Sequence, residues 1–171
     1  LTRDRALSAL AHGTTTVEIK SGYGLDTDSE LKMLRVIERV GRSTPLDVVA
    51  TFLGAHAVPP EYQGRADAYV DLMIDDMLPR VAALGLARQC DIFCEQGVFS
   101  IAQGRRLLAA AKSLGFAVKI HADEVHDLGG AGLAAEVAAL SADHLLAAGD
   151  PGIDGLAAAG VVATLLPATA Y

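Results

Sequence analysis

Four ionisable residues, His121, Asp123, Glu124 and His126, fall within six positions at the end of the apolar run Phe116 to Ile120. That run reads as a short buried strand. Ionisable groups at such a place are costly unless they coordinate a metal, pair with one another or do chemistry. The imidazole of His121 can ligate a divalent metal through a neutral ring nitrogen. Glu124, three residues on, is placed to reach a substrate or an activated water. His144, one strand further, can stand beside His121. Tyr23, held between Gly22 and Gly24, and His56, ahead of Pro59-Pro60, are candidate substrate contacts. Each group also has a plainer reading: a core histidine bonded to backbone for His121, a solvated loop carboxylate for Glu124, a turn residue for His56. Asp143, on the opposite face of its strand from His144, reads as structural and set to meet a lysine, and His12 and His126 read as surface residues. There is no Ser-His-Asp order, nucleophile elbow or Gly-Lys-Ser phosphate loop, so a metal-activated hydrolytic water is the economical mechanism.

The elements that must carry these residues alternate in type. Leu1 to Ala11 has near-helical apolar spacing, and Thr14 to Lys20 is β-branched and strand-like. Thr27-Asp28-Ser29-Glu30 has capping-box spacing ahead of the helical face Leu31, Leu34, Ile37 and Val40. Asp47 to Leu53 is the next strand. Ala66 to Leu84 reads as a helix kinked or restarted at Pro79. Cys90 to Glu95 is a strand, and Ser100 to Gln103 is a second capping box before the helix that Gly115 ends. After the His121 strand come an alanine-rich helix to Leu140, a strand at Ser141–Leu145, a helix over Gly155–Ala159 and a strand at Val161–Leu166.

Six strands alternating with helices imply parallel strands and helical crossovers. An open doubly wound sheet and a (β/α)8 barrel both accept the pattern. Polar residues follow most strands: Tyr23, His56, Glu95, His121 with Glu124, His144 and Thr169. In a barrel all of these share the C-terminal face and can converge on one site, whereas an open sheet strings them along an edge. The expectation is a partial TIM-type barrel of about six parallel strands, roughly strands 2 to 7, spanning residues 1–171 as an incomplete metal-dependent hydrolase domain. Both ends read as cuts through a longer domain.

The 171 residues are 51% hydrophobic and 20% charged, a globular composition. A net charge of −7 without a basic stripe argues against a nucleic-acid partner. No apolar stretch is long enough to span a bilayer and no leader pattern opens the chain, so the expected location is cytoplasmic. Cys90 and Cys94, on one strand, lie too far apart for a disulfide and read as reduced core thiols.

Several blocks together resemble a known family. They are Gly13-Thr14-Thr15-Thr16-Val17-Glu18, Lys20-Ser21-Gly22-Tyr23-Gly24-Leu25, Leu53-Gly54-Ala55-His56-Ala57-Val58-Pro59, Cys90 to Glu95, Ile120-His121-Ala122-Asp123-Glu124 and Ser141 to Leu145. In this order they resemble imidazolonepropionase, of the amidohydrolase superfamily. The resemblance implies a distorted (β/α)8 barrel with one zinc or iron ion, hydrolysing 4-imidazolone-5-propanoate to N-formimidoyl-glutamate in histidine degradation. It makes His121 a metal ligand and Glu124 a contact of both ring and attacking water. His144 becomes an electrostatic or proton-handling group beside the metal, and Tyr23 and His56 become substrate-binding residues. The expected partner is this small molecule, with a homodimer left open. The family's His-x-His pair, its metal-binding Asp and an early substrate-binding arginine have no counterpart here. One imidazole holds a catalytic metal weakly, so the segment alone is expected to be inactive and to expose aggregation-prone edges. Two alternatives stand beside this: another amidohydrolase such as a deaminase of cyclic amidines, and a non-catalytic segment that binds a ligand or a subunit.

Overall fold

The structure, a computed structural model, describes residues 1–169, and the side chain of Thr169 lies outside the described residues. Six strands run parallel in sequential order: β1 (Thr16–Lys20), β2 (Asp47–Ala55), β3 (Gln89–Cys94), β4 (Ala117–Ala122), β5 (Ser141–His144) and β6 (Val162–Thr164). Helices connect them: α1 (Thr2–Ala11) before β1, α2 (Thr27–Ser43), α3 (Ala66–Leu72) with α4 (Leu78–Leu84), α5 (Ile101–Ser113), α6 (Gly130–Glu136) and α7 (Asp150–Ala159).

The sheet is curled. Lys20 Nζ on β1 lies 2.5 Å from Asp91 Oδ2 on β3 and 2.9 Å from Asp143 Oδ2 on β5. In a flat sheet β1 and β5 would stand about 19 Å apart at the usual strand spacing, far beyond a lysine's reach. The architecture is therefore a partial TIM-type barrel, as the polar residues following the strands implied.

The two faces of the strands do different work. Cys90, Ile92 and Cys94 on β3, and Val118, Ile120 and Ala122 on β4, are buried in the main apolar core, which also holds Leu31, Leu34, Leu107 and Leu108 from the helices. The alternate residues, Glu18, Lys20, Asp91, Lys119 and Asp143, meet one another on the concave face. At Gly104 of α5 the helix comes so close to β3 that an added Cβ would stand 2.7 Å from Cys94 Sγ. Both cysteines are free thiols, buried as expected.

Local signals in the sequence map onto this frame with four corrections. The Ser100–Gln103 capping box is formed in both directions. The first box is not: Asp26 is the N-cap, accepting from the Ser29 amide, and Glu30 is turned away to the Gly22–Leu25 loop. The Ala66–Leu84 segment is helical, but a π-helical stretch at Met73–Met77 separates α3 from α4. The wider turn precedes Pro79, whose ring and missing N–H disrupt the regular ladder. α6 stops at Glu136 rather than Leu140, because Ala138 has positive φ and Ser141 already pairs with Lys119. α7 starts at Asp150, five residues early, with Pro151 in its first turn where the absent N–H costs nothing. Among the described residues no helix is long and apolar enough to cross a membrane.

Candidate active site at the mouth of the half-barrel

Five side chains meet at the C-terminal ends of the strands: Tyr23, His56 and Glu124 from the loops after β1, β2 and β4, and His121 and His144 from the ends of β4 and β5 themselves. Tyr23 meets His56 edge-on, with ring centroids 4.9 Å apart. His56 lies 6.4 Å from His121, and His121 lies 5.2 Å from His144, centroid to centroid. His144 Nδ1 lies 3.3 Å from Glu124 Oε1. Tyr23, His56, His121, Glu124 and His144, drawn from four separate stretches of the chain, thus form one continuous group. Phe93 borders it, 6.1 Å from the His121 ring.

Buried carboxylates hold the loops that present these groups. Glu30 on α2 accepts from the amides of Gly22, Gly24 and Leu25, pinning the loop that exposes Tyr23. Tyr23 is 77% exposed, so the loop spends its hydrogen bonds on displaying an aromatic ring. Gly22 is needed here: at φ +110 it sits where a Cβ would stand 2.7 Å from the Leu53 carbonyl oxygen. His56 Nδ1 lies 3.1 Å from the Gly22 carbonyl oxygen, linking this loop to the next. Asp123 is fully buried with positive φ, and its carboxylate accepts from the amides of Leu128, Gly130 and Ala131 at the start of α6. Those bonds fix one side of the Glu124 loop.

Glu95 fixes the other side, and here the structure corrects the sequence reading. Expected among the converging groups, Glu95 instead accepts from the amides of Gln96, Val125 and His126 and sits 2.9 Å from His126 Nδ1. Burial alone would raise its carboxyl, but these donors outweigh it and hold it below the usual range. Glu95 is thus committed to the loop. His126 is half exposed, as a surface residue should be.

Beneath the mouth lies a charged floor. Lys20 joins Asp91 and Asp143, and Lys119 lies 2.6 Å from Glu18 Oε2 and 3.6 Å from Asp143 Oδ2. Burial would lower the Lys20 ammonium, but the carboxylates of Asp91, Asp143 and Glu18 outweigh it and hold it above its usual value. Burial would likewise raise Asp91, and its contacts with His121 and Lys20 hold it well below the carboxylate range. Asp143 meets lysines as expected, though from the lumen. Sequence reasoning passed over Lys20, Asp91 and Lys119 as functional residues. Their signal was the period-two alternation Glu18/Lys20, Gln89/Asp91, Lys119/His121 and Ser141/Asp143, where buried parallel strands ordinarily run apolar on both faces.

His121 joins the two layers. Its Nδ1 lies 3.0 Å from Asp91 Oδ2, and the Nδ1 atoms of both His121 and His144 are buried without an aligned hydrogen bond. Burial leads the causes that lower His144, together with His121 and Lys20, and the opposing carboxylate of Glu124 does not offset them. A neutral, underused imidazole suits either proton handling or metal ligation. Donor atoms of Asp91, His121 and Asp143 also fall within 4.8 Å of one another. The Asp91–Asp143 pair already holds the Lys20 ammonium, so of the three it is the His121 imidazole, on its edge away from Asp91, that fits a metal ligand.

No family model matches the chain. Curated relatives do. An imidazolonepropionase of Desulfotalea psychrophila is 64% identical over 170 residues, 99% of this chain and 41% of that protein. That of Syntrophobacter fumaroxidans is 62% identical over 99% of the chain and 40% of the relative. The chain is related to the imidazolonepropionases, of the amidohydrolase superfamily. It spans about two fifths of the length of these imidazolonepropionases. Among solved structures, an adenine deaminase from Arthrobacter aurescens superposes with TM-score 0.68 at 18% identity, over 98% of this chain and 51% of that one. A 5-methylcytosine deaminase from Klebsiella pneumoniae gives TM-score 0.65 at 19% identity, over 95% of this chain and 42% of the other. These two likenesses establish the shared barrel fold of the imidazolonepropionase segment.

Proposed function

We propose that the chain supplies the central part of a metal-dependent cyclic amide hydrolase that opens 4-imidazolone-5-propanoate to N-formimidoyl-glutamate. The observation that carries this is the contiguous group Tyr23, His56, His121, His144 and Glu124, read beside the kinship to imidazolonepropionases. Residues 1–171 then form an incomplete barrel domain acting on a small molecule in the cytoplasm.

In this reading His121 holds a divalent ion, zinc or iron, which would supply Lewis-acid activation of water at neutral pH. Tyr23 and His56, edge to face at the rim, together form an aromatic wall against which the planar imidazolone ring rests. Glu124, on a loop pinned from both sides, orients the attacking water and accepts its proton. His144 shares that proton through its contact with Glu124 and passes it to the departing ring nitrogen. The polar neighbours of this path carry opposite tendencies: His144 favours its neutral form, and the Glu124 carboxylate faces it.

The test uses the full-length protein with zinc or iron restored, followed by loss of the imidazolone absorbance. Turnover is expected, and Glu124→Gln should reduce kcat by about a hundredfold or more, the scale of a lost proton-transfer group. No turnover with metal present overturns the reading, and turnover of cyclic amidines in its place would favour a deaminase.

A further inference from the structure

The floor of the half-barrel is built like a cation site whose cation is a side chain. Oxygens of Asp91 and Asp143 and a ring nitrogen of His121 lie within 4.8 Å of one another. Zinc-type ions bond such donors at about 2.0–2.2 Å, so donors on one ion stand up to roughly 4 Å apart. The Lys20 ammonium sits among them, 2.5 Å from Asp91 and 2.9 Å from Asp143. Only a slight contraction separates this arrangement from a divalent ion's shell.

The charge balance tells which cation the floor prefers. Two ammonium groups, Lys20 and Lys119, face three carboxylates, Glu18, Asp91 and Asp143, leaving one negative charge. Adding a divalent ion to that set would leave a buried positive charge. Replacing Lys20 by an uncharged residue leaves two negative charges, the number a divalent ion neutralises. Buried charges are tolerated when paired, and the penalty for a mismatch is several kcal/mol per ion.

We propose that Lys20 is the resident cation of the Asp91–Asp143 pair, and that it is the residue that closes this floor to a divalent metal. A metal held by His121 must then approach from the mouth, on the ring edge turned away from Asp91, and the floor adds no second ion beneath it. Lys20 does this in the layer below the mouth, whatever reaction the mouth performs. Lys20 is in this sense the residue that keeps a divalent ion out of the floor.

The test titrates cobalt(II) alone into the chain and into Lys20→Met, reading affinity by calorimetry and the melting temperature with and without the ion. Lys20→Met should melt lower than the unsubstituted chain without cobalt, regain stability when cobalt is added, and bind the ion at least tenfold more tightly. A triple variant, Lys20→Met with Asp91→Asn and Asp143→Asn, should fold without cobalt and lose the gained affinity. Equal cobalt affinity in Lys20→Met and the unsubstituted chain overturns the proposal. So does a Lys20→Met chain that stays unfolded in cobalt while the triple variant folds. Failure of both variants to fold also overturns it, because the proposal assigns the contribution of Lys20 to charge.

Discussion

The mouth and the floor of this half-barrel use the same residue types to opposite ends. In the floor, every charge is opposed at close range: Lys20 by two aspartates, Lys119 by Glu18, on strands that cannot move without breaking the sheet. At the mouth, three of the five groups are displayed on loops, Tyr23 is largely exposed, and ring nitrogens of the two strand-end histidines lack an aligned partner. Satisfied polar networks give rigidity, and unsatisfied ones mark places where something else binds. Charge density alone would therefore point to the floor, whereas the proposed reacting groups stand at the mouth.

The largest effect that separates the two layers should come from Asp91→Ala. Removing a fully buried partner leaves Lys20 short of one counter-charge, and a loss of about 3 kcal/mol in urea unfolding is expected. A loss under about 1 kcal/mol would place the floor on the same footing as surface ion pairs.

Acid should then sort the carboxylates that hold loops. Glu95 has a folded-state value below its unfolded one, so it stabilises the fold above about pH 4.3, the unfolded value, and that contribution fades as pH falls through the lower folded value. Glu95→Gln should flatten the acid limb of the stability curve, with the gap to the unsubstituted chain largest above pH 5. Parallel curves for the two chains would show that Glu95 titrates alike folded and unfolded.

Ser100→Ala, remote from both layers, supplies a yardstick. Loss of the reciprocal cap at α5 should cost about 1 kcal/mol in the same unfolding experiment. Tyr23→Ala should fall below that yardstick, within about 0.5 kcal/mol of the unsubstituted chain, as for an exposed side chain. The same substitution should weaken binding of an imidazolone-type ligand by the full-length protein. A destabilisation larger than that of Ser100→Ala would make Tyr23 a structural residue.

Much of the site was legible one residue at a time. His121, His144, His56 and Tyr23 each stand at a strand end or in a glycine-framed loop, where the cost of a polar or aromatic group demands a reason. Glu124 was legible by its distance from His121. Glu95 misled because its position after β3 matched the same pattern, while its acceptor atoms were claimed by the Val125 and His126 amides, which lie about thirty residues away in the chain. Glu30 misled in the same manner: its spacing suited a cap, and the stronger demand came from three amides of the Gly22–Leu25 loop.

By itself the sequence determined the alternation of strands and helices, the parallel sheet that follows from it, and the candidates at the strand ends, because all of these rest on periodicity and local cost. The tertiary structure alone decided which carboxylates hold loops or pair with lysines and which stand among the histidines of the mouth. That decision depends on pairings between residues up to 123 positions apart, such as Lys20 with Asp143, which exist only once the sheet has curled. The period-two alternation puts these residues on one face but does not say which of them pair, and so the ion pairs of the charged floor became visible only in three dimensions.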